Sequence, residues 1–176
     1  MIDISNEKII LKSISSEDTE NIIRWRNSEN VRKNFLDQRM FTVESHTNWL
    51  KNMVETGKVE QFIIIDKNDN VPVGSVFLRD IDYENRKAEY GIFIGEDSAR
   101  GKGIGTAAAE RIIQYGFEEL KLHKIFLRVL AENIGAIKSY EKAGFKQEAY
   151  LVDEVNINDE FKDIVLMAVI NSERRM

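Results

Sequence analysis

The stretch Arg100-Gly101-Lys102-Gly103-Ile104-Gly105-Thr106 places three glycines at alternate positions, with a cation before the first and another between the first two. It follows an apolar run, Tyr90 to Ile94, and precedes a helix-compatible stretch from Thr106 to Leu120. Glycine lets the backbone approach a ligand closely, and the opening turn of a helix offers free N–H groups at the positive end of its dipole. Strand, glycine loop and helix in this order make an anion site, and phosphate is the anion it suits. Spacing excludes two common phosphate loops. Gly-x-x-x-x-Gly-Lys-Ser/Thr does not occur, and Gly-x-Gly-x-x-Gly fails at Thr106. A dinucleotide fold also needs a run of βαβ units that the chain lacks.

Around the loop the sequence predicts a mixed α/β scaffold. Glu7 to Ile14 is apolar and β-branched, a first strand. Ser15 or Ser16 with Glu17 and Asp18 starts a helix carrying Ile22, Ile23 and Trp25, which falters at Asn27 to Asn30. Val31 to Phe41 has no clear period, and Thr42 opens a second helix over Val43 to Glu55. Glu60–Asp66 and Val71–Arg79 flank the turn cluster Lys67-Asn68-Asp69-Asn70, so they form a hairpin, with Pro72 tolerated near the start of its return. Arg86 to Gly95 is the strand that delivers the chain to the glycine loop. The helix over 104–120 gathers Ile104, Ala108, Ile112 and Tyr115 on one face. A strand over His123 to Leu130, a helix over Asn133 to Ala143 and a hairpin of Phe145–Val155 with Phe161–Ile170 complete the chain. The order β–α–α–β–β–β–α–β–α–β–β implies a mixed central sheet with helices on both faces.

Composition removes several chemistries. The 176 residues suit one domain over 1–176, with 43% hydrophobic and 31% charged residues, a soluble globular profile. A net charge of -5 gives no general attraction to nucleic acid or an anionic membrane. Cysteine is absent, so disulfides, thiolate catalysis and cysteine-based zinc sites are excluded, and the two histidines suggest no metal centre. No apolar run reaches membrane length, and a cytoplasmic location is expected.

Arg100-x-x-Gly103-x-Gly105 resembles the Gln/Arg-x-x-Gly-x-Gly/Ala signature of the GNAT superfamily of N-acetyltransferases. A second segment, Asn133-Ile-Gly-Ala136 through Tyr140-Glu141-Lys142-Ala143-Gly144-Phe145, resembles that family's pattern of Asn, Ala three on and Tyr seven on, ending in Glu-Lys-x-Gly-Phe. The resemblance covers nearly the whole chain and implies the GNAT fold, with acetyl-CoA as co-substrate and no metal. It implies pyrophosphate contacts at Arg100, Gly101, Lys102, Gly103, Ile104, Gly105 and Thr106, and pantetheine contacts at the backbone of Phe93 and Ile94 and at Asn133. It gives Tyr140 the role of general acid to the departing thiolate. Asn133 and Tyr140 lie two helical turns, roughly 10 Å, apart on one face, the reach such a division of labour needs. Glu89, on the strand leading to the cofactor, is the candidate base. Some members of the family carry an acid where Arg128 stands, which argues against a direct base from that strand. A core tyrosine at 140, and a Glu89 paired only with Arg86 or Arg128, are the structural alternatives.

For the acceptor, Trp25-Arg26-Asn27 and His46-Thr47-Asn48-Trp49 resemble the branch that acetylates nucleotide-linked amino sugars, the UDP-4-amino-sugar N-acetyltransferases of pseudaminic acid synthesis. That resemblance implies nucleotide contacts at Arg26 and His46, although both Trp25 and His46 also fit packed positions. The C-terminal half resembles the branch of ribosomal-protein and polyamine N-acetyltransferases, which makes a protein N-terminus or a polyamine the alternative acceptor. The expected partner is thus a small-molecule amine, foremost a UDP-amino sugar, and a homodimer is compatible with it. A non-catalytic CoA-binding module is the alternative of another class. The presence of both Asn133 and Tyr140 speaks against it, since a protein that only binds has no use for a proton donor at the thiol.

Overall fold

The computed structural model describes residues 3–172. Its eight strands form one mixed sheet in the order β1-β2-β3-β4-β5-β6-β8-β7. The strands are β1 (Asp3–Ser5), β2 (Ile9–Ser13), β3 (Val59–Asp66), β4 (Val71–Asp82), β5 (Lys87–Ile94), β6 (Lys124–Leu130), β7 (Lys146–Ile157) and β8 (Glu160–Ile170). The helices are α1 (Thr19–Asn27), α2 (Glu29–Arg32), α3 (Val43–Trp49), α4 (Ile104–Glu118) and α5 (Ile134–Lys142). Every neighbouring pair is antiparallel except β5 and β6. A parallel pair needs a crossover, and α4 supplies it.

Helices cover both faces because the central strands are apolar on both. On β3, Phe62 and Ile64 enter a core shared with α4, while Ile63 enters a second core with Ile22 and Trp25 of α1. Period-two alternation thus becomes a continuous buried run, as expected of a strand covered on both sides. On α4 the predicted stripe of Ile104, Ala108, Ile112 and Tyr115 is buried.

Two local expectations differ from the structure. The strand predicted over Glu7 to Ile14 spans only Ile9–Ser13 and is the second, because Asn6 makes a turn before it. Its side-chain oxygen accepts from the amides of Lys8 (2.9 Å) and Ile9 (3.0 Å), and the three-residue β1 pairs back onto β2. The second helix does not run regularly to Glu55. After Trp49 it widens into a π-type turn, Leu50–Val54, with Glu55 N–H donating to the Leu50 carbonyl at 2.9 Å.

The feature that positions the site is the short contact between β5 and β6. Their ladder holds only Lys87, Ala88 and Glu89 against Lys124, Ile125 and Phe126. Beyond Glu89 the strands part, and Tyr90 to Ile94 have β4 on one side and no strand on the other.

Candidate active site

A cleft of about 1340 Å³ passes through this parting, lined by β5, β6, the glycine loop, α5, α1 and the segment 30–41. The glycine loop forms one wall. Gly101 and Gly103 both take left-handed backbone angles, φ 75° and 77°, and Gly103 is the N-cap of α4. These angles cost glycine little and other residues about 1–2 kcal/mol each. The first intrahelical bond runs from Ala107 N–H to the Gly103 carbonyl at 3.0 Å. The amides from Gly101 to Thr106 donate to no described backbone or side-chain group, so they are free for a ligand. That unused row of donors fits a diphosphate, and the unpaired edge of β5 at Phe93 and Ile94 fits an extended pantetheine arm.

The predicted loop cations divide. Arg100 lines the cleft, yet its guanidinium is engaged within the protein, donating to the Ile94 carbonyl at 3.1 Å and lying 3.4 Å from Asp97. Lys102 does not line the cleft. Between two left-handed glycines, it lines a smaller pocket of about 320 Å³ with Asn21, Arg24 and Asp66, so of the expected phosphate contact only its amide, in the free row, remains. Three lysines that sequence reasoning missed lie on the coenzyme side. Lys138 and Lys142, one turn apart on α5, line the cleft, and the Lys8 ammonium lies 3.1 Å from where a side chain on Gly103 would begin. The lysines at i and i+4 were a readable signal; Lys8 arrives through tertiary structure alone. Ile104, Gly105 and Thr106 all line the cleft, and the Thr106 hydroxyl meets that of Ser139 on α5 at 3.1 Å.

Asn133 lines the cleft but works first as the cap of α5, its side-chain oxygen accepting from Ala136 N–H at 3.2 Å. Its amide nitrogen donates to Asn34 across the cleft at 3.3 Å. Tyr140 is half-buried on α5 and lines the cleft, its ring edge-on to Tyr90 at 5.7 Å and to Phe145 at 6.0 Å. Burial pushes its phenol up to about 12, because the phenolate is disfavoured away from water. It therefore keeps a proton to give.

Glu89 departs from expectation. It is 5% exposed and tied to two guanidiniums. Its Oε2 accepts from Arg79 Nε (3.1 Å) and Nη2 (3.0 Å), while Arg128 Nε donates to Oε1 at 3.0 Å and Arg128 Nη2 reaches Oε2 at 3.4 Å. A carboxylate whose lone pairs are already committed to guanidiniums is placed to position them, not to take a proton from an incoming amine. Pairing with Arg128 was among the structural alternatives; Arg79, its register partner on β4, was not foreseen.

Arg26 and His46 both line the cleft, each buried. The Arg26 guanidinium stacks 3.4 Å from the Phe35 ring centroid and 4.6 Å from that of Phe41, and its Nη1 has no partner among the described residues. Desolvation lowers its pKa to about 10, partly offset by Asp37 and reinforced by the charge of Arg79. His46 is 1% exposed, with Nδ1 3.1 Å from the Thr19 hydroxyl. It sits in the packing of α3 on α1, and burial lowers its pKa, favouring the neutral ring.

A sheet that parts over a cleft, with free loop amides at one end and a protonated phenol within, defines a coenzyme-A-dependent acyl transferase. Residues 8–146 match the acetyltransferase (GNAT) domain family, and the chain belongs to it. It is an N-acetyltransferase that uses acetyl-CoA. The spermidine N(1)-acetyltransferase of Vibrio cholerae is 29% identical over 168 residues, covering 96% of each chain. A crystal structure of the Vibrio cholerae spermidine N-acetyltransferase with CoA and spermine superposes with a TM-score of 0.88 at 28% identity, over 95% of this chain and 98% of that one. Another structure of that enzyme, a dodecamer in an intermediate state, gives a TM-score of 0.79 at 28% identity, over 96% of both chains. Among the described residues no helix is long and apolar enough to cross a membrane, and no group of histidine, aspartate and glutamate side chains could hold a metal.

Proposed function

We propose that this enzyme acetylates a primary amine carried on an anionic small molecule, of the nucleotide-linked amino-sugar class. The charge of the cleft supports this reading. Setting aside Arg100, Lys138 and Lys142 at the coenzyme end, four basic side chains line it (Arg26, Arg39, Arg79 and Arg128) against two acidic ones, Asp37 and Glu89. Both acids are already paired: Asp37 with Arg39 at 2.6 Å, and Glu89 with Arg79 and Arg128 at 3.0 Å each. Among the described residues the one buried cleft-lining acid, Glu89, is shared by two guanidiniums, so a polycation finds little fixed negative charge there, whereas an anion finds complementary charge. The buried Arg26, with Nη1 unpartnered, is the nucleotide contact in this reading, and neutral His46 supports the wall behind it.

When bound, acetyl-CoA supplies an acetyl group activated as a thioester. The amides of the 101–106 loop hold its diphosphate, with Lys8, Lys138 and Lys142 adding charge, and the backbone at Phe93 and Ile94 lies along its arm. The acceptor nitrogen forms the new bond to the acetyl carbon as the carbon–sulfur bond breaks. Tyr140 gives its proton to the sulfur, and the amine's proton leaves through the open cleft to water.

The comparisons with known proteins favour a second reading, spermidine acetylation: the relatives matched over nearly the full chain are named spermidine N-acetyltransferases, and none of these is named for an amino sugar. The deciding experiment measures CoA release with a UDP-linked 4-amino sugar, spermidine and an N-terminal peptide amine. A kcat/KM at least about 100-fold higher for the amino sugar than for spermidine is expected, a difference of about 2.7 kcal/mol in transition-state binding. Equal or reversed preference overturns the anionic acceptor, and no turnover with any amine would point to a binding module. The dodecameric relative and the exposed β7–β8 hairpin also support self-association of this chain as a homo-oligomer.

A further inference from the structure

The assembly of Arg79, Glu89 and Arg128 lies where the β5–β6 ladder ends. Glu89 is the last β5 residue paired to β6, Arg79 is its register partner on β4, and Arg128 lies two residues beyond Phe126, its partner on β6. One carboxylate thus crosses three strands. On β6, residues 125, 127 and 129 face the core with α4, so alternation sends Arg128 to the opposite face, which Phe93 on β5 shares with α1.

Each guanidinium is held by Glu89 through two of its nitrogens, Nε and Nη2, and keeps the third, Nη1, unengaged among the described residues. Their side chains are 36% and 37% exposed, and both line the cleft. Within the cleft, two positive charges face one negative. Two further acids bear on the pair from outside it. Asp80 lies 3.8 Å from Arg79 Nε, and Asp80 and Glu154 both act on Arg128, but neither lines the cleft. A guanidinium is a planar fork suited to two oxygens of a phosphate or carboxylate, and one already held in place loses little freedom on binding.

We propose that Arg79 and Arg128 are an anion clamp, aligned by Glu89, that holds a phosphate or carboxylate group of the acceptor at the floor of the cleft. This deepens the anionic-acceptor reading and rests on it. Arg79 and Arg128 are specificity-determining residues, and Glu89 is a positioning residue that sets their forks.

Inorganic pyrophosphate serves as the probe, titrated calorimetrically into the CoA-saturated protein so that the coenzyme site is filled. The wild-type protein is expected to bind it, and Arg79→Gln and Arg128→Gln each to weaken it at least about 10-fold with CoA affinity kept. Arg128→Lys, which keeps the charge but loses the fork, should fall between wild type and Arg128→Gln. With the amino-sugar substrate, the glutamine variants should raise acceptor KM with kcat held within about threefold. No pyrophosphate binding by the wild type, or unchanged affinity in both glutamine variants, overturns the clamp; so does a lowered unfolding temperature with unchanged affinity, the mark of a purely structural network. Wild-type turnover confined to spermidine overturns the acceptor reading instead, and loss of pyrophosphate binding in the variants would still support the clamp.

Discussion

A phenol gives a proton to a thiolate only while it still has one, and Tyr140 is buried enough to keep it. Tyr140→Phe is expected to lower kcat by about 10²–10⁴-fold while the Kd for acetyl-CoA stays within about twofold, as steady-state kinetics and calorimetry would show. Unchanged kcat would remove the hydroxyl from the reaction. The pH dependence follows from the same burial. The active form is the protonated one, present below the folded pKa and lost as pH rises through about 12, so the phenol's alkaline limb in kcat should lie nearer 12 than the ordinary 10. A fall in kcat centred near 10 in the wild type and missing from Tyr140→Phe would refute the burial argument. The placement of Tyr140 in the cleft was legible because its asparagine, alanine and Gly-Phe neighbours stand at fixed offsets from the cap of α5 to just past its end. Glu89 was only half legible. Its pairing with Arg128 could be named from neighbouring strands, but its lone pairs are shared with Arg79, and that pairing depends on the β4–β5 register, which no local pattern states.

At the scale of elements, the glycine loop ties backbone conformation to binding. Gly103 combines φ 77° with the first helical cap, and a side chain there meets both a conformational cost and the ligand's path. Gly103→Asp would add a negative charge at the positive end of α4, where the diphosphate is proposed to sit. The expected result is loss of CoA affinity by about 100-fold or more, with a stability change of about 1–2 kcal/mol from the left-handed angle. Calorimetry with CoA alongside thermal unfolding separates the two; intact affinity would move the diphosphate away from this loop. The strand–loop–helix order could be read because apolar periodicity changes from the strand to the helix on either side of the glycines. The turn at Lys102 could not, since the direction of one side chain depends on two flanking positive φ angles. The π-type turn after Trp49 escaped for a related reason. Leu50 is buried and the Trp49 indole N–H donates to Gln61 at 2.8 Å, so contacts with β3 accompany a wider turn that helical periodicity does not encode.

The whole molecule carries a net charge of -5 around a cleft whose charged lining is mostly cationic, so bulk composition gave no hint of the charge inside it. The same gap between pattern and placement appears at the sheet's two edges. β1 is three residues long, too short to recruit another strand, whereas β7 is a twelve-residue edge with irregular pairing to β8 at Gln147/Ala149 and Leu151/Val155. None of its residues is fully buried. Val152 is 71% exposed and Phe161, on the facing strand, 64%, so apolar surface remains on a hairpin that no helix of the described chain covers. The alternation that predicted these strands says which residues share a face, not whether anything packs on it. A long, exposed edge with apolar side chains favours association unless charges or irregular pairing protect it, and Lys146, Glu148, Asp153 and Glu154 charge only part of its length. Self-association through the hairpin is therefore expected in sedimentation equilibrium, with a mass that is a multiple of the single chain's. Val152→Glu combined with Phe161→Glu should shift the protein toward the monomer and leave its unfolding temperature nearly unchanged, because both side chains are exposed in the single chain. A wild type that stays monomeric at all concentrations, or a double variant that associates as strongly as the wild type, would place any interface elsewhere.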